Sequence, residues 1–275
     1  MTGMTISKIH YKPLKETLNM HLKIAISERT NQKVEYIHKD FDINIVPGKV
    51  SFWTGSQRIT VYRKPNAINN LPNNDADAFV QQVSTVLNPV SLKLNFNGSP
   101  TVVEQQEVLW KKWLNTRTNI ENSFAGNWVE NALTTIDRKL LPGDNLTNNL
   151  MQDLFLNEYF RNVYQVNFTE NIFRGERTVY GFCPAPIQFG EKWRVKPLPT
   201  GCLIKFSGQK AEIHDQPGFN CWLKTKTDDR IEEIRVDGFY QVDAATGWCN
   251  ALESHYQLTT GNFEKTLDIF LTTHE

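Results

Sequence analysis

His38, Asp40 and Asp42 lie two residues apart in a segment where apolar and polar residues alternate. On a strand, that spacing puts all three side chains on one face. An imidazole and carboxylates so placed could share a divalent metal, with a further ligand such as His21 from a neighbouring strand. The same alternation also produces the solvated polar face of a half-buried antiparallel strand. The expectation taken forward is the solvated face, with no metal.

Other reactive residue types occur in less favourable settings. His214-Asp215 precedes Pro217-Gly218, and a His beside a carboxylate could act as a general base. No Gly-x-Ser-x-Gly elbow supplies a nucleophile for it, so turn polarity is the simpler reading. Glu104 with Glu107, and Asp228, Asp229, Glu232 and Glu233, invite a paired-carboxylate reading, but Arg230 interrupts the acidic run and both sets read as solvated charge. There is no P-loop and no Gly-x-Gly-x-x-Gly, so no nucleotide cofactor is expected. No catalytic residue is assigned, and the chain leans away from being an enzyme.

Cys183, Cys202, Cys221 and Cys249 are separated by 19, 19 and 28 residues. This is not the paired short spacing of a zinc site. Cys202 and Cys221 are in phase with apolar neighbours, which predicts buried, unpaired thiols. Of seven tryptophans, Trp110, Trp113 and Trp128 fall in helical patterns and read as core, while Trp53 stands near a turn. Trp222 is out of phase with Cys221 and Leu223, and Trp248 follows a turn. These two, with Tyr240 of the same hairpin, are the expected partner-binding residues, because surface aromatics anchor interfaces.

The chain has 275 residues with 30 basic and 30 acidic side chains. A neutral total argues against a nucleic-acid partner, whose binding is driven by basic excess. At 40% apolar and 22% charged residues the chain is ordinary for a globular protein that needs no disulfide or metal. Residues 1–15 have no apolar signal core and no run reaches membrane-spanning length. The cytoplasm is therefore expected, or export if a signal has been removed. Oligomeric state is not set by these features.

The elements that must position these residues follow from periodicity. Leu18, Met20, Leu22, Ile24 and Ile26, and then Ile37, Phe41, Ile43 and Ile45, alternate with polar residues as strands do. Pro47-Gly48 is expected to end the second. Val50–Trp53 and Arg58–Tyr62 suggest a hairpin around Thr54-Gly55-Ser56-Gln57. Residues 64–74 read as a loop, with Asp75 capping a helix over 76–87 whose inward residues are Ala78, Val80, Val83 and Leu87. Asn97-Gly98 is a turn signal. Three helical stripes then follow: Trp110 to Phe124, Trp128 to Leu140, and Leu150 to Val163. After residue 166 alternation returns, with strands around Cys202–Phe206, Phe219–Leu223, Ile234–Val242, Trp248–Leu258 and Phe263–Leu271. The expected fold is α+β in one domain. Curved antiparallel sheets from strand-rich 16–104 and 166–275 pack on a three-helix block at 105–165.

Two segments carry a resemblance. Leu92-Lys-Leu-Asn-Phe-Asn-Gly-Ser-Pro-Thr-Val-Val-Glu-Gln leads into a Trp-containing helix, and Val236-Asp-Gly-Phe-Tyr-Gln-Val-Asp-Ala-Ala-Thr-Gly-Trp forms a hairpin. Together they resemble uncharacterised sheet–helices–sheet proteins of Bacteroidota, and the hairpin alone resembles those of lipoprotein-carrier half-barrels. The resemblance implies a fold and transfers no catalytic residue. The functional expectation is a non-enzymatic cytoplasmic protein acting through a protein–protein surface, such as an immunity or adaptor protein of a toxin or secretion system. The alternatives are a carrier of an apolar small ligand between sheet and helices, and an enzyme with dispersed catalytic residues.

Overall fold

The computed structural model describes residues 6–31, 33–65 and 74–274. Among them, eleven strands form one antiparallel sheet. In chain order the strands are β1 (Leu18–Thr30), β2 (Val34–Val50), β3 (Gln57–Pro65), β4 (Val90–Leu94), β5 (Pro100–Val103), β6 (Ile172–Val179), β7 (Ile187–Leu198), β8 (Gly201–Ile213), β9 (Ile231–Asp243), β10 (Cys249–Thr260) and β11 (Phe263–Thr273). Six α-helices accompany them: α1 (Asp75–Val86), α2 (Gln106–Ser123), α3 (Asn127–Leu140), α4 (Leu146–Leu150), α5 (Leu154–Tyr159) and α6 (Gln216–Lys224).

The strand order is β5-β4-β3-β2-β1-β11-β10-β9-β8-β7-β6. Each half of the chain is a run of consecutive antiparallel neighbours, and the two runs join where β1 pairs with β11. Register at that seam sets Leu22 opposite Leu271, Ile24 opposite Ile269 and Ile26 opposite Leu267. Because side chains alternate along a strand, this register gathers the apolar residues of both halves on one inner face and leaves His21, Lys23 and Ser27 on the outer face.

The helices meet the sheet through specific polar links as well as apolar packing. Arg63 of β3 donates to both carboxylate oxygens of Asp153, at 3.0 and 2.6 Å. Asp153 also accepts from the Leu156 amide and so caps α5. The buried Tyr240 hydroxyl of β9 donates to the Tyr159 carbonyl at 2.8 Å, and the Tyr159 hydroxyl donates to the Cys249 carbonyl. The Thr147 hydroxyl of α4 accepts from the Val103 amide of the edge strand β5.

Several expectations need correction. There is one continuous sheet where separate sheets were anticipated. The third helical stripe is divided into α4, α5 and a 3-10 turn at 163–165. β2 continues through Pro47-Gly48 by a register shift before Val50. In α1 the buried residues are Phe79 and Val86, Val83 and Leu87 pack partly buried against the core as expected, Val80 is exposed, and Asn74 rather than Asp75 is the cap. The segment holding Phe219, Cys221 and Leu223 is the helix α6, not a strand. Cys221 is consequently exposed, while Cys183, Cys202 and Cys249 are buried, and all four are free thiols. Of the expected loop at 64–74, residues 66–73 lie outside the described residues.

Candidate functional site

Two of the three expected partner-binding residues, Tyr240 and Trp248, are buried, and the third, Trp222, is only partly exposed. Trp248 is 3% exposed and Tyr240 2%. The Trp248 indole donates to the Lys12 carbonyl at 2.8 Å and its ring packs near Tyr11 and Tyr159. Both side chains have their polar atoms satisfied inside the fold, as buried Tyr and Trp require. Trp222 is half-buried on α6, against Phe219 and Phe263, with the Lys265 ammonium over its ring. Its helical placement removes the strand phase that pointed it outward.

Tyr36, Tyr62, Phe270 and Trp128 are exposed, the last against its reading as core, but the most exposed aromatics lie at the turn joining β2 to β3. Phe52 and Trp53 are each 91% exposed, with ring centroids 5.5 Å apart in an edge-to-face pair. The turn is tightly bonded. The Ser51 amide donates to the Ser56 carbonyl at 2.8 Å and the Gly55 amide to the Ser51 carbonyl at 2.9 Å, while the Thr54 and Ser56 hydroxyls pair at 2.7 Å. Gly55, at φ +62, takes the left-handed conformation that closes the turn. Beside it is the β4–β5 turn, where the Asn95 side chain accepts from the Asn97 and Ser99 amides. That turn presents Phe96 at 67% exposure. The two turns abut: a methyl group added at Gly55 would stand 3.4 Å from the Phe96 Cβ. Phe52 and Trp53 are paired on one hydrogen-bonded turn and Phe96 is exposed on the turn beside it, and together the three make an aromatic knuckle. The sequence pattern places Val50–Trp53 in a hairpin strand and the Asn97-Gly98 turn directly after Phe96. The Ser51-to-Ser56 closure moves Phe52 and Trp53 into the turn itself.

His38, Asp40 and Asp42 do share the outer face of β2, but that face is only partly solvated. Asp40 is 4% exposed and its Oδ1 lies 3.4 Å from His38 Nε2 and 3.8 Å from His21 Nε2. His21 stands opposite Asp42 in register, with its Nδ1 3.3 Å from Asp42 Oδ1. His274, just beyond β11, brings Nε2 to 3.8 Å from the same oxygen. His214 is exposed, and Asp215 serves as the cap of α6 by accepting from the Gly218 amide at 3.0 Å. Glu104 pairs with Arg58, and Glu233 with Arg235.

A second polar cluster is buried between α5 and the sheet. Glu158 accepts from Arg161 at 2.6 Å, Arg177 at 2.7 Å, Ser254 at 2.8 Å and the Tyr256 hydroxyl. Arg177 also donates to Glu191 at 3.0 Å, and Trp193 donates to the other Glu191 oxygen at 2.8 Å. The Arg161 guanidinium lies 3.8 Å from the centre of the Phe206 ring. Burial alone would raise the Glu158 carboxyl, but the Arg161 and Arg177 charges more than reverse it and hold the group well below the usual carboxylate range. Burial pushes the Tyr256 hydroxyl well above its ordinary value. Two acids and two guanidiniums balance, and every carboxylate is committed to internal donors. The cluster is built to join helix to sheet, with no free base or nucleophile.

No protein-family model matches the sequence, and no curated protein does. Solved structures with similarity include a lipovitellin chain described for its lipid–protein interactions, with a TM-score of 0.48 and 11% identity over 95% of this chain. This chain spans 25% of the length of that one. Rv2717c from M. tuberculosis gives a TM-score of 0.26 and 8% identity, covering 96% of this chain and 94% of that one. DynF of the dynemicin biosynthesis pathway of Micromonospora chersina gives 0.20 and 6%, covering 98% and 89%. Likeness at this level transfers no function. No described helix is long and apolar enough to cross a membrane.

Proposed function

We propose that the protein is a non-enzymatic binding protein that docks a protein partner through the Phe52–Trp53–Phe96 knuckle. The observation that carries this reading is the near-complete exposure of Phe52 and Trp53 on a hydrogen-bonded turn. Aromatic side chains of this kind anchor interface hot spots, and a turn already fixed loses little freedom on binding. In this reading the helices over 105–165 act as one block behind the sheet and keep the knuckle-bearing strands rigid. Four free thiols favour a reducing compartment, and the cytoplasm is the site of action we adopt. An immunity or adaptor role in a toxin or secretion system is its finer form. The carrier alternative has less support. The apolar cleft between α1, α3 and α4, lined by Val83, Leu87, Ile136, Leu140 and Leu150, holds about 230 Å³, below the roughly 300–1,000 Å³ of ordinary ligand sites.

The test is a titration of the partner, captured stoichiometrically and purified, against the wild type and Phe52→Ala and Trp53→Ala variants. Each substitution should weaken binding by about 2 kcal/mol or more, the hot-spot threshold, or roughly 30-fold, with an unchanged melting curve. Equal affinity for all three proteins would overturn the proposal. So would binding only to lipid vesicles, abolished by Trp53→Ala, since the knuckle would then be a membrane-surface anchor.

A further inference from the structure

We propose that His21, Asp42 and His274 form a binding site for a divalent transition metal of the zinc type, on the outer face of the sheet where β1, β2 and the end of β11 meet. One ligand atom from each residue lies within 4.8 Å of the others. Asp42 Oδ1 is 3.3 Å from His21 Nδ1 and 3.8 Å from His274 Nε2. Two atoms each about 2.0–2.1 Å from a tetrahedral zinc ion stand roughly 3.3 Å apart. The first pair already has that separation. The second pair is about half an ångström too wide, and the His21–His274 pair, within 4.8 Å, needs up to about 1.5 Å of closure to reach the same spacing; a rotation of the His274 side chain, which is 53% exposed, would supply it.

Backbone pairing holds all three ligands. His21 and Asp42 are cross-strand partners. The His274 amide donates to the Asn19 carbonyl at 3.0 Å, which fixes the chain after β11 alongside β1. A second carboxylate stands on the far side of one imidazole: Asp40 Oδ1 is 3.8 Å from His21 Nε2. With Nδ1 bound to metal, the Nε2 proton faces Asp40, the carboxylate–histidine–metal relay that orients ligating histidines and raises their basicity. His38 approaches the same Asp40 oxygen at 3.4 Å and braces it from the other side.

The ligand set also selects the ion. Lys23 and Lys64 stand opposite Asp40 and Asp42 in register, so accumulated negative charge is not the source of affinity. Two imidazoles and one carboxylate favour Zn²⁺, Ni²⁺ or Cu²⁺ over Ca²⁺ and Mg²⁺, which prefer oxygen-rich cages. The fourth position faces solvent, so water completes the coordination.

The experiment titrates Zn²⁺ into the metal-stripped full chain, in a Cys221→Ser background that removes the exposed thiol. Binding is followed by calorimetry and by histidine side-chain NMR. The expected result is one equivalent of Zn²⁺, no competition from Mg²⁺, and shifts of the His21 and His274 resonances while His214 stays put. His274→Ala and Asp42→Asn should each weaken binding by at least about tenfold, and Asp40→Asn by about tenfold through the second carboxylate. Circular dichroism of each variant confirms the fold. His274 is exposed at the end of a strand, so its substitution leaves the core intact. Absence of saturable binding would overturn the inference, as would binding unchanged in both His274→Ala and Asp42→Asn. Neither outcome bears on the knuckle, which lies on other loops.

Discussion

Replacing Glu158 by Gln removes one negative charge from the interior and almost no volume. Its side chain is 2% exposed, and its neighbours Arg161 and Glu191 are 1% exposed. In the wild type two guanidiniums face two carboxylates. In the variant Arg161 and Arg177 share Glu191 alone, and one positive charge stays buried without a counter-ion. The new amide also turns a donor toward Arg161 or Arg177, where both oxygens had accepted. Breaking a buried ion pair from one side costs about 3–5 kcal/mol. With a urea dependence of roughly 3 kcal/mol per molar for a chain of this size, the unfolding midpoint should fall by somewhat over 1 M. The double variant Glu158→Met/Arg161→Met restores charge balance around the Arg177–Glu191 pair and should recover most of the loss, since a buried pair replaced by apolar residues is often close to neutral. A Glu158→Gln midpoint equivalent to less than about 1 kcal/mol of destabilisation would refute the buried, ionised cluster. A double variant no better than the single would refute charge imbalance as the cause.

Alkaline pH should unfold the protein sooner than its neutral charge suggests. Burial pushes Cys183 and Cys249 up to about 12 and Cys202 to about 11, from 9.0. The unfolded chain releases these protons from about pH 9 while the folded chain keeps them. This stability is therefore complete below pH 9 and is lost as pH rises through 11–12, each thiol contributing a loss of about 1.4 kcal/mol for every pH unit crossed. The buried hydroxyls of Tyr159, Tyr164 and Tyr240, also raised by burial, act in the same direction. Urea midpoints that stay flat between pH 8.5 and 11 would contradict it. Thiol titration offers a separate check: the native protein should show one fast thiol, Cys221, and the denatured, unreduced protein four. Two or more fast thiols before unfolding would mean that Cys183, Cys202 or Cys249 is not covered.

Where one strand face is buried and the other is not, the sequence carries its own record of structure. Leu18 to Ile26 and the strands between Ile234 and Leu271 mostly alternate because one face turns to the core and the other to water, with buried Ser254 and exposed Phe270 as exceptions. α6 escaped this reading because Phe219, Cys221 and Leu223 satisfy period two as well as Phe219 and Leu223 satisfy a helical turn. The deciding signal was Asp215 with Pro217 behind it, a cap and a proline in the first turn. The aromatic knuckle was hidden by two residues of turn placement. The Glu158 cluster was not legible, because its members come from α5, β6, β7 and β10 and no local spacing links them. His274 is separated from His21 by nearly the whole chain, and only the pairing of β1 with β11 brings them together.

That pairing also governs how the chain emerges from the ribosome. β1 ends at Thr30, and β11, its partner, begins only at Phe263 and is the last of the eleven strands to be synthesised. At about 5–20 residues per second, the interval between them is roughly 10–50 s. Throughout it the first five strands can pair among themselves, yet β1 offers a free edge of backbone donors and acceptors with Met20, Leu22, Ile24 and Ile26 along one side. A nascent chain stalled or cut before residue 263 keeps that edge open, and an unpaired apolar strand is the template on which like strands stack between molecules.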